Sequence, residues 1–461
     1  MGASHHETYD LAVYLHDIMF SDLSRNTIET AKMCVEDFIG VSVAGSAKEE
    51  SRIWKQYYRE KCTSSQATLF QPGFEKRTME QAAALNGVFG HIMDLDDVHN
   101  ASIAHLGAVT IPSAFAAAQK LHKSGARLIE AVVAGYEAGA RVGETVNPSA
   151  YRYWHTTGVT GAFSSGTAVG RLLDLDVEQM VNCLGSAGTQ ASGLWEFLES
   201  GSMSKVLHTA HANLCGMRAA ELAKLGFSGA PAILEGERGF VKALAAEYDL
   251  GALTRGFGEG YRIEENSLKP YACCRHTHSA NDCIREIIGA YELCPDDIVS
   301  IVDDTYGAAV QTVDNPWPEN PYAAKFSIQF CLAAAVVLKD LGDRVFTAEN
   351  LADPRIRAMM SKIKIRRSPD LDEEFRKNPD RWSHRITVAL KSGKTITRQV
   401  DYPAGDFRNP FDWSMTDQKF RLLTEDLIGE EETQRLLVSI HNLEHLEDVN
   451  SLFMDSDSKK A

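Results

Sequence analysis

From Tyr9 to about Lys269, apolar residues recur at spacings of three and four, the period of helices that bury one face. The pattern predicts helices over Asn26–Val43, Glu80–Met93, Val109–Leu121, Leu128–Val146, Gly158–Leu173, Val177–Leu194, Met203–Leu225 and Ala232–Ala246. Small residues are dense on them. Gly135, Ala138 and Gly139, and Gly185, Ser186 and Gly188, read as places where helices approach closely rather than as catalytic glycines. Near Leu268 the texture changes. A helix over His278–Ala290, a β-branched run over Ile298–Asp304, and helices over Lys325–Leu338 and Asp353–Ile363 follow. Arg385–Leu390 and Thr395–Val400 alternate around Lys391-Ser-Gly-Lys394, which predicts a hairpin. After Asp401-Tyr-Pro-Ala-Gly405 the helical period returns over Thr416–Leu427, Glu430–Ile440 and Asn442–His445, and Lys459-Lys460-Ala461 reads as a frayed tail. No repeat or low-complexity tract interrupts this order. The expected fold is mostly α: a large all-helical domain formed by 1–267 with 405–461, and a smaller inserted α+β lid domain at 268–404. A cleft between two such domains is a favoured place for a small-molecule site.

Composition narrows the partners. Hydrophobic residues are 44% and charged residues 24% of the 461, ordinary for a folded globular protein. A formal charge of −16 disfavours nucleic acid and anionic membranes as partners, so an anionic substrate needs a local basic pocket. No apolar run reaches the length of a membrane span, and Met1-Gly-Ala-Ser-His-His-Glu7 lacks a basic-then-apolar signal pattern, which predicts a cytoplasmic protein. The nine cysteines are scattered without paired C-x-x-C spacing, so reduced thiols are expected, and an iron–sulfur hydratase is disfavoured.

Against this background Gly90-His-Ile-Met-Asp-Leu-Asp-Asp-Val-His-Asn-Ala-Ser-Ile-Ala-His105-Leu-Gly107 stands out, with three aspartates and three histidines between two Ala-rich helices. Buried charges must pair or neutralise, so the stretch is a structural network or an active site. As a network, Asp94 would cap a turn and His91 would be a hydrogen-bonded core histidine. Three further polar groups lie in apolar company: Tyr153-Trp-His155-Thr-Thr-Gly158, Lys205-Val-Leu-His208-Thr-Ala-His211, and Lys269-Pro-Tyr-Ala-Cys-Cys-Arg275-His-Thr-His278. Together they favour the active site.

In order and rough spacing these motifs, with Asn86-Gly87, Gly135-Tyr-Glu137, Arg141, Gly188-Thr-Gln190 and Gly193, resemble the MmgE/PrpD family, which includes 2-methylcitrate dehydratase, cis-aconitate decarboxylase and iminodisuccinate epimerase. The resemblance implies a helical domain with an α/β lid, a homodimer, and proton transfer next to a carboxylate of a small di- or tricarboxylic acid without metal or organic cofactor. By motif position it implies Asp94, His105, His155, Lys205 and His278 as the catalytic set.

A proton α to a carboxylate is weakly acidic, so its transfer needs a base near neutral pKa and cations to hold the developing charge. His105 suits the acid/base role, with Asp94 fixing its orientation. Lys205 and His208 share a helix face while His211 points elsewhere; Lys205 is read as a carboxylate clamp backed by His208, against the alternative of a solvated helix lysine. Because no carboxylate or cysteine accompanies His208 and His211 at ligand spacing, no metal is expected. Tyr153 precedes a small-residue helix start and is kept as a second proton donor, the alternative there being plain capping. Lys269 and Arg275 are assigned to carboxylate binding, against surface charge on a lid. The first functional reading is a dehydratase of a methylcitrate-like tricarboxylate. The runners-up are a cis-aconitate decarboxylase or an epimerase of an amino- or iminodicarboxylate, and, in another class, a non-catalytic helical binding protein.

Overall fold

The computed structural model describes residues 7–61 and 64–453; the tail at Lys459–Ala461 lies outside them. The fold is mostly helical, with small sheets. The described residues fall into two compact units, one comprising 7–92, 96–266 and 412–453, the other 93–95 and 267–411.

The first unit is built around the Thr156–Leu172 helix, every residue of which is buried. It packs against the helices Gly107–Lys120, Gly125–Val146, Val177–Gly188 and Lys205–Lys224. Small residues make this possible: a Cβ on Gly135 would meet Thr110 Cγ2 at 2.4 Å, and one on Gly188 would meet Ile233 Cγ1 at 2.5 Å, so these glycines serve packing. Side-chain caps fix the helix starts. Thr78 accepts from the backbone N–H of Gln81 ahead of Met79–His91, Ser124 from that of Arg127 ahead of Gly125–Val146, and Asp176 and Gln179 form a reciprocal capping box. Two expected helices are shorter than their apolar spacing. Val177–Leu194 ends at Gly188, and of Ala232–Ala246 only Phe240–Leu244 is helical. The unit closes with Arg25–Gly45 packed on Trp413–Ile428, followed by Glu430–His441.

The second unit holds a four-stranded sheet in the order Ile363–Arg367, Ile298–Thr305, His384–Leu390, Thr395–Val400. The first pair is parallel and the rest antiparallel, and the expected hairpin pairs His384 with Val400 through to Ala389 with Thr395. The helix His278–Tyr291 packs on the two hairpin strands and on Ile328–Val337. The helix expected over Asp353–Ile363 spans Pro354–Met360, and Ile363 instead opens the strand Ile363–Arg367, whose backbone completes the parallel ladder beside Ile298–Thr305. Among the described residues no helix is long and apolar enough to cross a membrane.

Candidate active site

The Met79–His91 helix ends at His91, and the Gly107–Lys120 helix starts at Gly107. The loop between them is tied down by its own carboxylates. Asp97 accepts from the Gly107 N–H at 3.0 Å, from the Tyr136 hydroxyl at 2.6 Å and from Asn266 Nδ2 at 2.6 Å. A Cβ on Gly107 would lie 2.6 Å from Asp97 Oδ1, so only glycine lets this anchor form. Burial pushes the Asp97 carboxyl up to about 6. These contacts make Asp97 a fastener of the loop.

Asp96, fully buried, is the centre of the cluster. Its Oδ2 is 2.7 Å from His91 Nδ1 and 3.4 Å from His105 Nδ1. Burial opposes its charge, yet His91 and His105 together hold the carboxyl well below the usual range, so Asp96 is an anion with two imidazoles on one oxygen. The side chains of His91 and Asp96 are 0% exposed and that of His105 13%, so within the triad His105 is the ring a substrate can reach. The His105 backbone N–H donates to Thr157 Oγ1 at 3.0 Å, which fastens the loop to the start of the central helix.

His155 sits at the N-cap of that helix. Its ring stacks on His91, with centroids 5.6 Å apart, and lies against Trp195 at 5.0 Å and Phe197 at 6.0 Å. Its Nδ1 is 3.1 Å from His208 Nδ1, so one ring donates and the other accepts. Burial first, then His91 and Lys205, keep the His155 imidazole well below its ordinary pKa, and burial and Lys205 push His208 down to about 4. His91 is likewise lowered to about 4, by burial above all. Neutral imidazoles therefore face a buried cation, because Lys205, on the first turn of Lys205–Lys224, is 3% exposed. Gly158 and Gly193 hold His208 in place: a Cβ on Gly158 would meet Ser192 O at 2.8 Å and His208 Cβ at 3.0 Å, and Gly193 has φ +145°. A cavity of about 680 Å³ opens onto His208 and is lined by Trp154, Leu194, Phe197 and Leu207. His91, Asp96 and His105 offer donor atoms within 4.8 Å of one another and could hold a cation, but such an ion would compete with the Lys205 charge acting on His91.

The structure thus gathers His105, His155, Lys205 and His208 in the helical unit. The carboxylate found 3.4 Å from His105 Nδ1 is that of Asp96, while Asp94, expected to orient that ring, lies in the second unit. Asp94 adopts φ +55°, a left-handed turn that breaks the helical course, and the chain comes back over His91 with Asp96. Spacing alone does not tell which of three neighbouring aspartates does so, and it leaves His91 as a core histidine. Trp195 and Phe197 also escape the sequence reading, their only signal being an aromatic pair two apart after Gly193. Tyr153 is 59% exposed, with the Arg152 guanidinium 5.1 Å from its ring centroid, so the turn that carries it presents it to solvent. In the second unit, Lys269 donates to Asp94 O and lies 3.2 Å from Asp94 Oδ1, and Arg275 Nη2 is 3.1 Å from Asp406 Oδ2. Both charges are already met by buried carboxylates. His278 receives Arg275 Nη1 at Nδ1 (3.2 Å) and donates from Nε2 to Cys273 O (3.2 Å). Burial, Arg275 and Lys269 keep it neutral, with both ring nitrogens engaged.

Both halves of the chain resemble known proteins. The MmgE/PrpD N-terminal domain matches residues 9–252 and the C-terminal domain residues 271–445. Cis-aconitate decarboxylase of Homo sapiens is 26% identical over 460 residues, covering 96% of this chain and 93% of that protein. Cis-aconitate decarboxylase of Aspergillus terreus is 25% identical over 479 residues, covering 96% and 94%. The mitochondrial 2-methylcitrate dehydratase of Yarrowia lipolytica is 26% identical over 253 residues, covering 52% and 48%. Decarboxylase and dehydratase are both lyases, and with both domains matched in order the chain belongs to the MmgE/PrpD family of lyases.

Proposed function

We propose that the protein decarboxylates a small unsaturated tricarboxylate of the cis-aconitate type, with Asp96–His105 as the proton donor and Lys205 as the carboxylate clamp. The observation that carries the reading is an anionic, fully buried Asp96 against the one partly exposed imidazole of its triad. An allylic carboxylate leaves as CO2, and its bonding pair spreads through the adjacent double bond toward the carboxylate at the far end. Lys205, buried among neutral histidines, stabilises that charge as it builds. A protonated His105, paired with Asp96, then delivers a proton to the alkene carbon next to the far-end carboxylate, and the double bond moves by one position. One proton is taken up for each CO2 released. His155 and His208, held neutral, keep positive charge off that side of the cluster and are available to hydrogen-bond the substrate. The second unit's Asp94, Lys269, Arg275 and His278 match the family's motif positions; substitution at Asp94 and His278 tests their part.

Decarboxylation is favoured over the dehydration first expected because the decarboxylases align over 96% of the chain and the dehydratase over 52%. The test is incubation with cis-aconitate and with 2-methylcitrate, followed by proton NMR and CO2 capture. CO2 release from cis-aconitate is expected. Loss of water from 2-methylcitrate without CO2 would replace this reading with the dehydratase, and inertness toward both would remove the tricarboxylate class.

A further inference from the structure

A second cluster of ligating side chains lies on helices that carry none of the acid/base residues. Glu36 on Arg25–Gly45, Asp417 on Trp413–Ile428 and His441 on Glu430–His441 each direct one donor atom into a space where all three lie within 4.8 Å of one another. His441 Nε2 is 2.9 Å from Asp417 Oδ1 and 3.3 Å from Glu36 Oε2. Glu36 is 0% exposed, and its Oε1 has no hydrogen-bond donor among the described residues. A buried carboxylate so poorly met takes up either a proton or a cation. The neighbouring cations are engaged: Lys419 Nζ is 2.5 Å from Asp37 Oδ1, and Lys32 Nζ is 3.0 Å from both Glu29 and Glu444. The His441 imidazole thus lies between the two carboxylates.

We propose that Glu36, Asp417 and His441 form a site for a divalent transition-metal cation of the zinc type, with water completing a four-coordinate shell. The donor set of one imidazole nitrogen and two carboxylate oxygens, all within 4.8 Å of one another, is the kind that zinc takes at bond lengths of roughly 2 Å. A dication balances the two carboxylates when both are ionised. The side chains of His441 and Asp417 are 34% and 28% exposed, leaving a way in and room for the water, and the Trp413 ring, its centroid 4.2 Å from that of His441, holds the imidazole in place. Glu36 comes from the N-terminal part of the chain and the other two from its return segment, so the ion staples the two ends of the helical unit together. The site is tested on full-length protein stripped with a chelator, then titrated with zinc chloride by calorimetry and by thermal unfolding. One zinc per chain and a Tm rise of roughly 5 °C at saturation are expected, with binding at least about tenfold weaker in Glu36→Gln and in Asp417→Asn. The partly exposed Asp417 gives a variant that folds even where Glu36→Gln does not. Absence of binding heat and of any Tm shift in the unaltered protein overturns the site. So does binding that survives both substitutions and is lost in His91→Gln, which places the ion on the Asp96 cluster.

Discussion

Asp96 decides the chemistry of its surroundings because it is a buried anion held between two imidazoles. If Asp96 and His105 act as one acid/base group, Asp96→Asn and His105→Ala each lower kcat by roughly 10²–10⁴-fold. The double variant then loses much less than the product of the single losses. Kinetics on the four proteins, with thermal melts to confirm folding, check this; multiplicative losses would mean that the two residues act separately. Lys205 contributes charge to a site whose histidines are kept neutral first by burial and then by its own charge. Lys205→Met should cost about 1.5–3 kcal/mol in kcat/KM by removing a charge-assisted contact. It should also raise the pKa of His208, since a neighbouring cation no longer opposes protonation, and imidazole NMR titration reads that directly. At this scale the sequence is informative about type and poor about pairing. His105, His155, Lys205 and His208 are visible as polar residues in apolar company, but the placement of Asp96 beside His105 follows a left-handed residue, Asp94, that no spacing rule contains.

Helices are where the sequence is most legible, and their ends where it is least. The Met79–His91, Gly125–Val146 and Thr156–Leu172 helices end within three residues of their expected bounds, although nearly all of their residues are buried. Ala232–Ala246 keeps the period and loses the helix. Gly236 and Gly239 turn the chain there through bonds from Gly236 N to Ala232 O and from Phe240 N to Ile233 O, and a glycine pair weakens a helix more than apolar spacing supports it. The Ile363–Arg367 strand escapes the sequence reading because a short, mostly exposed run carries little pattern, and its partner strand lies far away in sequence. Element packing also controls the site. At Gly158 the central helix starts against His208, and a Cβ added there would stand 2.8 Å from Ser192 O and 3.0 Å from His208 Cβ. Gly158→Ala should therefore destabilise by about 1–3 kcal/mol and lower kcat by displacing His208 from His155. A variant with unaltered melting and turnover would show that the contact has slack.

For the molecule as a whole, burying so many titratable groups makes stability depend on pH. His91 titrates near 6.5 when unfolded and at about 4 when folded. Between these values the unfolded chain binds a proton that the folded chain does not, so the stability due to neutral His91 is full above about 6.5 and is lost as pH falls toward 4. Asp97 runs the other way. Its folded value of about 6 against 3.8 means that its contribution is present at low pH and is lost as pH rises through that span. The comparison of unaltered protein with His91→Gln isolates the histidine: the Tm gap between them should move against the unaltered protein from pH 6.5 to 4.5, and parallel curves would contradict the assignment. The family is legible in the sequence because its motifs are spread over both matched domains, whereas the fate of the carbanion is not, because dehydration, decarboxylation and epimerisation call on the same acid/base residues. That choice is tested most directly by turning over cis-aconitate in D2O and reading the product by NMR. A decarboxylase with a single proton donor releases CO2 and leaves one deuterium on the former alkene carbon next to the far-end carboxylate, at a rate that collapses in Asp96→Asn. Release of CO2 with no solvent deuterium at that carbon, or water addition and loss with no CO2, would contradict the account.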